Sequence, residues 1–180
     1  MTRRRHIFAV LAGLLVIAGC GSSSSSGVSA NSYVKSVCDA IKPFVTDIQA
    51  RSNSLNLTSL STPAQGKQAL EGFMTAAVAD SQKAVDQLKA AGVPNVNNGK
   101  NISTSLVNAF TQVKSALSAA QSQAAALPTG SVAAFRTAGQ SLATTIRASF
   151  ASIGAGLAGL KSAELSKAAK GTAACQSIGA

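Results

Sequence analysis

The sequence predicts an all-α protein: an up-down four-helix bundle with a short fifth helix near the C-terminus. Three observations carry this. Apolar residues recur at steps of three and four in four long segments. Three of the four prolines, Pro63, Pro94 and Pro128, fall at segment ends. Each of the six acids has a Lys or Arg three or four positions away, the spacing of neighbours on one helical face. Those six pairs read as solvated surface pairs, which leaves no carboxylate set aside for chemistry. Aromatic residues make up only 4% of the chain, and Ala and Ser occupy many seam positions. Close helix approach around a narrow, nearly solid core is expected, and such a core is a poor host for a large ligand.

The first segment places Val34, Val37, Ile41, Val45 and Ile48 on one face. Pro43 lies inside it and predicts a kink or a break. The second has Ser61 or Thr62 as N-cap and Pro63 at its first position. It carries Leu70, Met74, Ala77, Ala84 and Leu88 on one stripe, and it stops at Gly92 with Pro94 beyond. The third runs through Leu106, Phe110, Val113, Leu117, Ala120, Ala124 and Leu127 until Pro128 ends it. The fourth starts near Ser131 and carries Val132, Phe135, Gly139, Leu142, Ile146, Ile153, Leu157 and Leu160. A short fifth helix follows Ser162 and reaches Cys175. Residues 148–160 are uncharged, a length that suits a core helix rather than a membrane span.

The N-terminus is organised differently. Arg3, Arg4 and Arg5 precede Ile7–Ala18, an apolar run with the length of a signal-peptide core and too short to span a bilayer as a helix. Ile17-Ala18-Gly19-Cys20 resembles the lipobox of bacterial lipoproteins. The resemblance implies that residues 1–19 are a signal peptide, cut between Gly19 and Cys20. It further implies that Cys20 carries a diacylglyceryl thioether, with a palmitate-class acyl chain added to the new amino group. Two or three such chains hold a protein on a membrane stably where one holds it weakly. The expected location is the extracytoplasmic face of the cell membrane. Residues 20–30 then read as a lipidated cysteine and Ser-rich tether, and residues 31–180 as the helical domain.

Removal of residues 1–19 would leave 161 residues with a net charge of +7. It would also leave no histidine, because His6 is the only one, and the chain has no tryptophan. Ser-His-Asp and Cys-His nucleophile arrangements therefore lack their base. A zinc site lacks its ligands, and paired carboxylates for glycoside hydrolysis are already balanced by neighbours. The residues call for no metal and no cofactor. The basic residues are scattered and one tyrosine accompanies them, which does not make a nucleic-acid surface. A positive field facing anionic lipid headgroups or wall polymers is the simpler use of the charge.

Cys38 and Cys175 lie near opposite ends of the domain and are expected to form a disulfide in an exported protein. No C-x-x-C spacing suggests a redox pair. "GAGLAG", residues 154–159, matches G-x-G-x-x-G, but the preceding segment is helical and the acidic residue about 20 positions on is missing. "SYVK", residues 32–35, matches S-x-x-K without its companion motifs, and Ser32 stands where an N-cap belongs. "GVPNVNNGKN", residues 92–101, is the most sequence-specific connection. If a loop binds a partner, Val93, Pro94, Asn95, Asn97 and Asn98 are the candidates.

The lipobox, the serine tether, "VCDAI", "AAGVPNV" and "AACQSI" together resemble small alanine-rich lipoproteins of actinomycete-type bacteria. That resemblance bears on location and fold and implies no catalytic activity. The expected function is that of a membrane-anchored, non-enzymatic binding or interaction module of the cell envelope, facing an envelope protein or an anionic wall polymer. The alternative is a carrier that holds a small apolar ligand or lipid in a cavity between helices.

Overall fold

The computed structural model of the chain describes residues 27–55, 62–157 and 162–177. Four long helices follow one another: α1 (Ala30–Ser54), α2 (Pro63–Ala90), α3 (Gly99–Ala125) and α4 (Val132–Leu157). Two short ones, α5 (Ala163–Lys170) and α6 (Ala173–Gln176), follow them. The fold is an all-α bundle. The signal peptide, the lipobox with Gly19 and Cys20, residues 158–159 of the glycine motif and Leu160 of the fourth stripe lie outside the described residues. Gly154 and Gly156 are helical within α4, not part of a strand and turn. Among the described residues, no helix is long and apolar enough to cross a membrane.

The helix ends have local causes. Ser29 caps α1 by accepting from the Ser32 amide at 3.2 Å, so the cap lies three residues before the expected Ser32. Thr62 caps α2 with Pro63 at its first position, and Ser162 caps α5. The chain leaves α2 through Gly92, whose φ of +78° suits glycine. Of the kink or break expected at Pro43, the break does not occur, for α1 is one helix through it. Ala40 and Phe44 on either side are buried, and their burial offsets the hydrogen bond lost at proline. The expected fifth helix is instead two, divided at Gly171 and Thr172.

α2 packs against α1 and α3, α4 packs against α3, and α5 and α6 rest on α1. Gln121 Nε2 donates to Thr75 Oγ1 at 2.9 Å across the antiparallel α2–α3 pair. The main core holds Phe44, Met74, Val113, Leu117, Leu127 and Leu142 with four alanines, Ala77, Ala84, Ala120 and Ala124. Phe44 meets Phe110 edge to face, with centroids 6.1 Å apart. A second cluster joins Val34 and Cys38 of α1 to Ala168 and Cys175. α1 therefore has partners on two sides, which corrects its predicted stripe. Tyr33, Val34, Cys38, Ala40 and Phe44 are buried, while Val37, Ile41, Val45 and Ile48 are half-buried.

Cys38 and Cys175 are joined as a disulfide, their Cα atoms 5.1 Å apart. Lys35–Asp39, Lys67–Glu71 and Lys83–Asp80 form ion pairs. Asp86 accepts instead from Gln82, and Glu164 from Ser162. Asp80 departs from the expected solvated face. It is only 8% exposed, with Oδ1 on Lys83 and Oδ2 without a partner among the described residues.

Candidate functional site

The connection between α2 and α3 holds the loop residues singled out above, and the protein's own N-terminal segment occupies its backbone. The Val28 amide donates to the Val93 carbonyl and the Asn95 amide donates to the Val28 carbonyl, each at 2.8 Å. These bonds make a single parallel bridge between Val28 and Pro94. Val28, which falls within the expected tether, is thus paired with this loop. Pro94 is fully buried, whereas Val93, Asn95, Asn97 and Asn98 are exposed. Asn98 stands at φ 58° and makes no side-chain cap to α3. Gly99 is required: a Cβ there would lie 2.0 Å from the Pro94 carbonyl oxygen.

Tyr33 and Ser103 complete this clamp. Ser103 Oγ donates to the Gly92 carbonyl at 2.7 Å, and the Tyr33 hydroxyl hydrogen-bonds Ser103. Burial pushes the Tyr33 phenol above its ordinary 10.0, and the Ser103 bond acts the other way. The loop therefore ties the start of α1 to the start of α3, and its backbone groups at Val93 and Asn95 already have partners. The side chains of Val93, Asn95, Asn97 and Asn98 stay exposed to an external partner.

A different place is open. α4 packs on α3 but stands off from α2, and a groove of about 640 Å³ runs between α2 and α4. From α2 it is lined by Pro63, Gly66, Leu70 and Met74, with Thr62 at the end. From α4, Val132, Phe135, Gly139, Leu142, Ala143 and Ile146 supply an apolar wall. Arg136 and Gln140 give the only other polar side chains on this lining. The stretch Val132–Ile146 makes the groove about 21 Å long at a helical rise of ~1.5 Å per residue. Its volume is in the range of known ligand sites, roughly 300–1,000 Å³.

The expected solid core holds where α1, α2 and α3 meet and fails here, for a specific reason. The Phe135 ring lies so close to Gly66 that a Cβ on Gly66 would come within 2.7 Å of it. Phe135 props the two helices apart at this end. One turn further along, Gly139 and Ala143 are too small to fill the space the prop creates. Gly139 is notable because no packing neighbour requires it: a Cβ built there meets nothing within 4 Å. Glycine inside a helix costs about 0.5–1 kcal/mol relative to alanine. In the sequence Gly139 sits on the apolar stripe of the fourth segment. The pattern Phe135, Gly139, Ala143 at successive turns is the local signal of a gap; its complement, Gly66, lies on another segment.

A second hollow of about 960 Å³ separates the first turns of α1 from α5 and α6. Its charges are mixed, with Lys35 and Lys167 beside Asp39 and Glu164. Among the described residues, no three His, Cys, Asp or Glu side chains come together as a metal site. No protein-family model, curated protein or solved structure matches the chain.

Proposed function

We propose that this chain is a membrane-anchored lipoprotein of the cell envelope whose folded domain is a non-enzymatic binding module, and that its binding site is the α2–α4 groove. The lipobox at residues 17–20 supports the anchor. The single observation that carries the binding reading is the groove held open at Gly139. An unfilled apolar trough exposes surface to water, and a glycine that packing does not need weakens the helix beneath it. Both features cost stability in the empty protein, and an apolar occupant of the trough would recover the first of them. The geometry favours an apolar ligand lying along the trough over an envelope protein or wall polymer gripped by the α2–α3 loop, whose backbone is already paired with Val28.

Gly139→Leu tests this directly. The new side chain has room to enter the groove, and the helix gains about 0.5–1 kcal/mol from losing the glycine. The variant is therefore expected to be at least as stable as the parent and to lose binding. Gly72→Leu is the control, since Gly72 is an exposed residue of α2 with nothing within 4 Å of a built Cβ. The measurement is labelling of the full-length protein, in nanodiscs, by a photoactivatable long-chain alcohol, with labelled peptides mapped to residues 62–74 and 132–146. Labelling lost in Gly139→Leu and kept in Gly72→Leu is the expected result. Labelling indifferent to Gly139→Leu refutes the site.

A further inference from the structure

We infer that the groove selects a single-chain amphiphile with an anionic head, a fatty carboxylate or alkyl phosphate, and that Arg136 is the residue that reads the head. This rests on the binding reading of the groove given above.

Arg136 is the only charged residue on the groove lining, and no acid lines it. Among the described residues it has no ion-pair or hydrogen-bond partner, so no carboxylate of the chain already holds its guanidinium. Arg136 follows directly on Phe135, and Gln140 stands one turn further along the same helix, so both can serve one head group. Thr62 lies at the same end from the α2 side. The rest of the lining, from Leu70 and Met74 to Leu142 and Ile146, offers no polar side chain. The trough is thus polar and positive at one end and apolar along its length. One charged head followed by one chain matches that division. A guanidinium can bind a carboxylate or phosphate through two parallel bonds, which fixes the head and with it the direction of the chain. A zwitterionic head brings its own cation to Arg136, and a neutral head leaves Arg136 with only water.

The test compares two photoactivatable probes of the same chain length on the full-length protein in nanodiscs: palmitic acid and hexadecanol, at neutral pH. The readout is labelling of peptides 62–74 and 132–146, for the parent, Arg136→Gln and Arg136→Lys. We expect the acid to label the groove about tenfold more efficiently than the alcohol, the factor that about 1.4 kcal/mol of differential binding provides. Arg136→Gln is expected to bring the two probes level by weakening the acid alone. Arg136→Lys is expected to restore part of the preference, since it keeps the charge but not the paired geometry. Equal labelling by both probes in the parent overturns the head-group inference and leaves the groove reading standing. Absence of groove labelling by either probe overturns both. Arg136 is exposed, so its replacement is not expected to disturb folding.

Discussion

Reduction of the Cys38–Cys175 disulfide is expected to release the C-terminal helices before the bundle itself unfolds. The bridge spans 137 positions of sequence. On the chain-entropy relation, closing a loop of that size in the unfolded chain is worth about 5 kcal/mol at 25 °C. What holds α5 and α6 apart from the bridge is small. Among the long helices they rest chiefly on α1, and Ala168 and Cys175 are their only buried side chains among the described residues. Burial of those two, with the half-buried Leu165, Ala169 and Ala174 around them, stabilises docking by on the order of 3 kcal/mol. That is less than the entropy cost of ordering a segment of this length at ~1–2 kcal/mol per residue. The main core, by contrast, draws its members from α1 to α4 and from Leu127, and includes nothing from α5 or α6. The assay is amide hydrogen exchange with and without reductant, read together with urea unfolding. Residues 163–176 are expected to lose protection on reduction while α2 and α3 keep theirs. The global unfolding free energy should fall by up to about 5 kcal/mol. The double variant Cys38→Ala with Cys175→Ala should behave like the reduced protein. Retention of bundle-level protection across residues 163–176 after reduction would refute the reasoning, because packing rather than the bridge would then hold them.

Three further outcomes follow from the same geometry. Gly99→Ala forces a Cβ onto the Pro94 carbonyl, so the loop must move. We expect a loss of about 2–3 kcal/mol, as for other overpacked sites, and loss of exchange protection at the Val28 and Asn95 amides. An unmoved bridge would sink this. Tyr33 is the only tyrosine, so tyrosinate absorbance reports it alone. Its pKa is raised in the folded state, so the native chain holds the proton where the unfolded chain releases it. That contribution to stability is present below about pH 10 and is lost as the pH rises through the raised value. Stability of the parent should therefore fall faster than that of Tyr33→Phe above pH 10, and a native phenol titrating at its ordinary value would contradict this. Asp80→Ala removes a buried carboxylate with one oxygen unpartnered among the described residues and leaves an exposed lysine behind. It should be neutral or stabilising by up to about 1 kcal/mol, judged by urea midpoint, and a loss above about 2 kcal/mol would show that Oδ2 has a partner.

The parts of the fold that were legible in the sequence are those whose burial depends on one helix at a time. α3 is the clearest case. Its stripe from Val113 through Leu117, Ala120 and Ala124 to Leu127 is buried as the spacing predicted, while Leu106 and Phe110 at its start are half-buried and Ile102 and Ala109 are buried in their place. The caps at Thr62 and Ser162 and the stop at Gly92 were legible because capping is local chemistry. α1 was misread because it serves two clusters at once, and no single periodicity describes a helix with partners on two sides. At Pro43 the break does not occur, because a rule about backbone bonds does not count what Ala40 and Phe44 gain by staying buried. The loop at 92–98 was legible as specific but not as self-occupied, for its partner Val28 lies more than sixty positions away in a stretch that composition assigns to a tether. The groove was hidden for the same reason. It exists because Phe135 meets Gly66, and neither residue predicts the other.

The two ends of the bundle now have different physical characters, and this bears on how an anchored binding module works. The bridge between Val28 and Pro94 ties the segment just before α1 to the C-terminal end of α2. The groove begins at the opposite end of the same helix, at Thr62 and Pro63. α2 has 28 residues, so about 42 Å separates its ends at ~1.5 Å per residue. Cys20 precedes Gly27 by seven positions, a span of at most about 25 Å at full extension. Under the proposed anchoring, the clamp of Val28, Val93 and Pro94 is therefore the end held near the membrane. Arg136, four residues into α4, then lies at the far end. A ligand whose head rests on Arg136 would keep its chain directed back along the bundle and its head directed away from the anchoring bilayer. That orientation suits transfer to or from a second surface better than sampling of the bilayer to which the protein is attached.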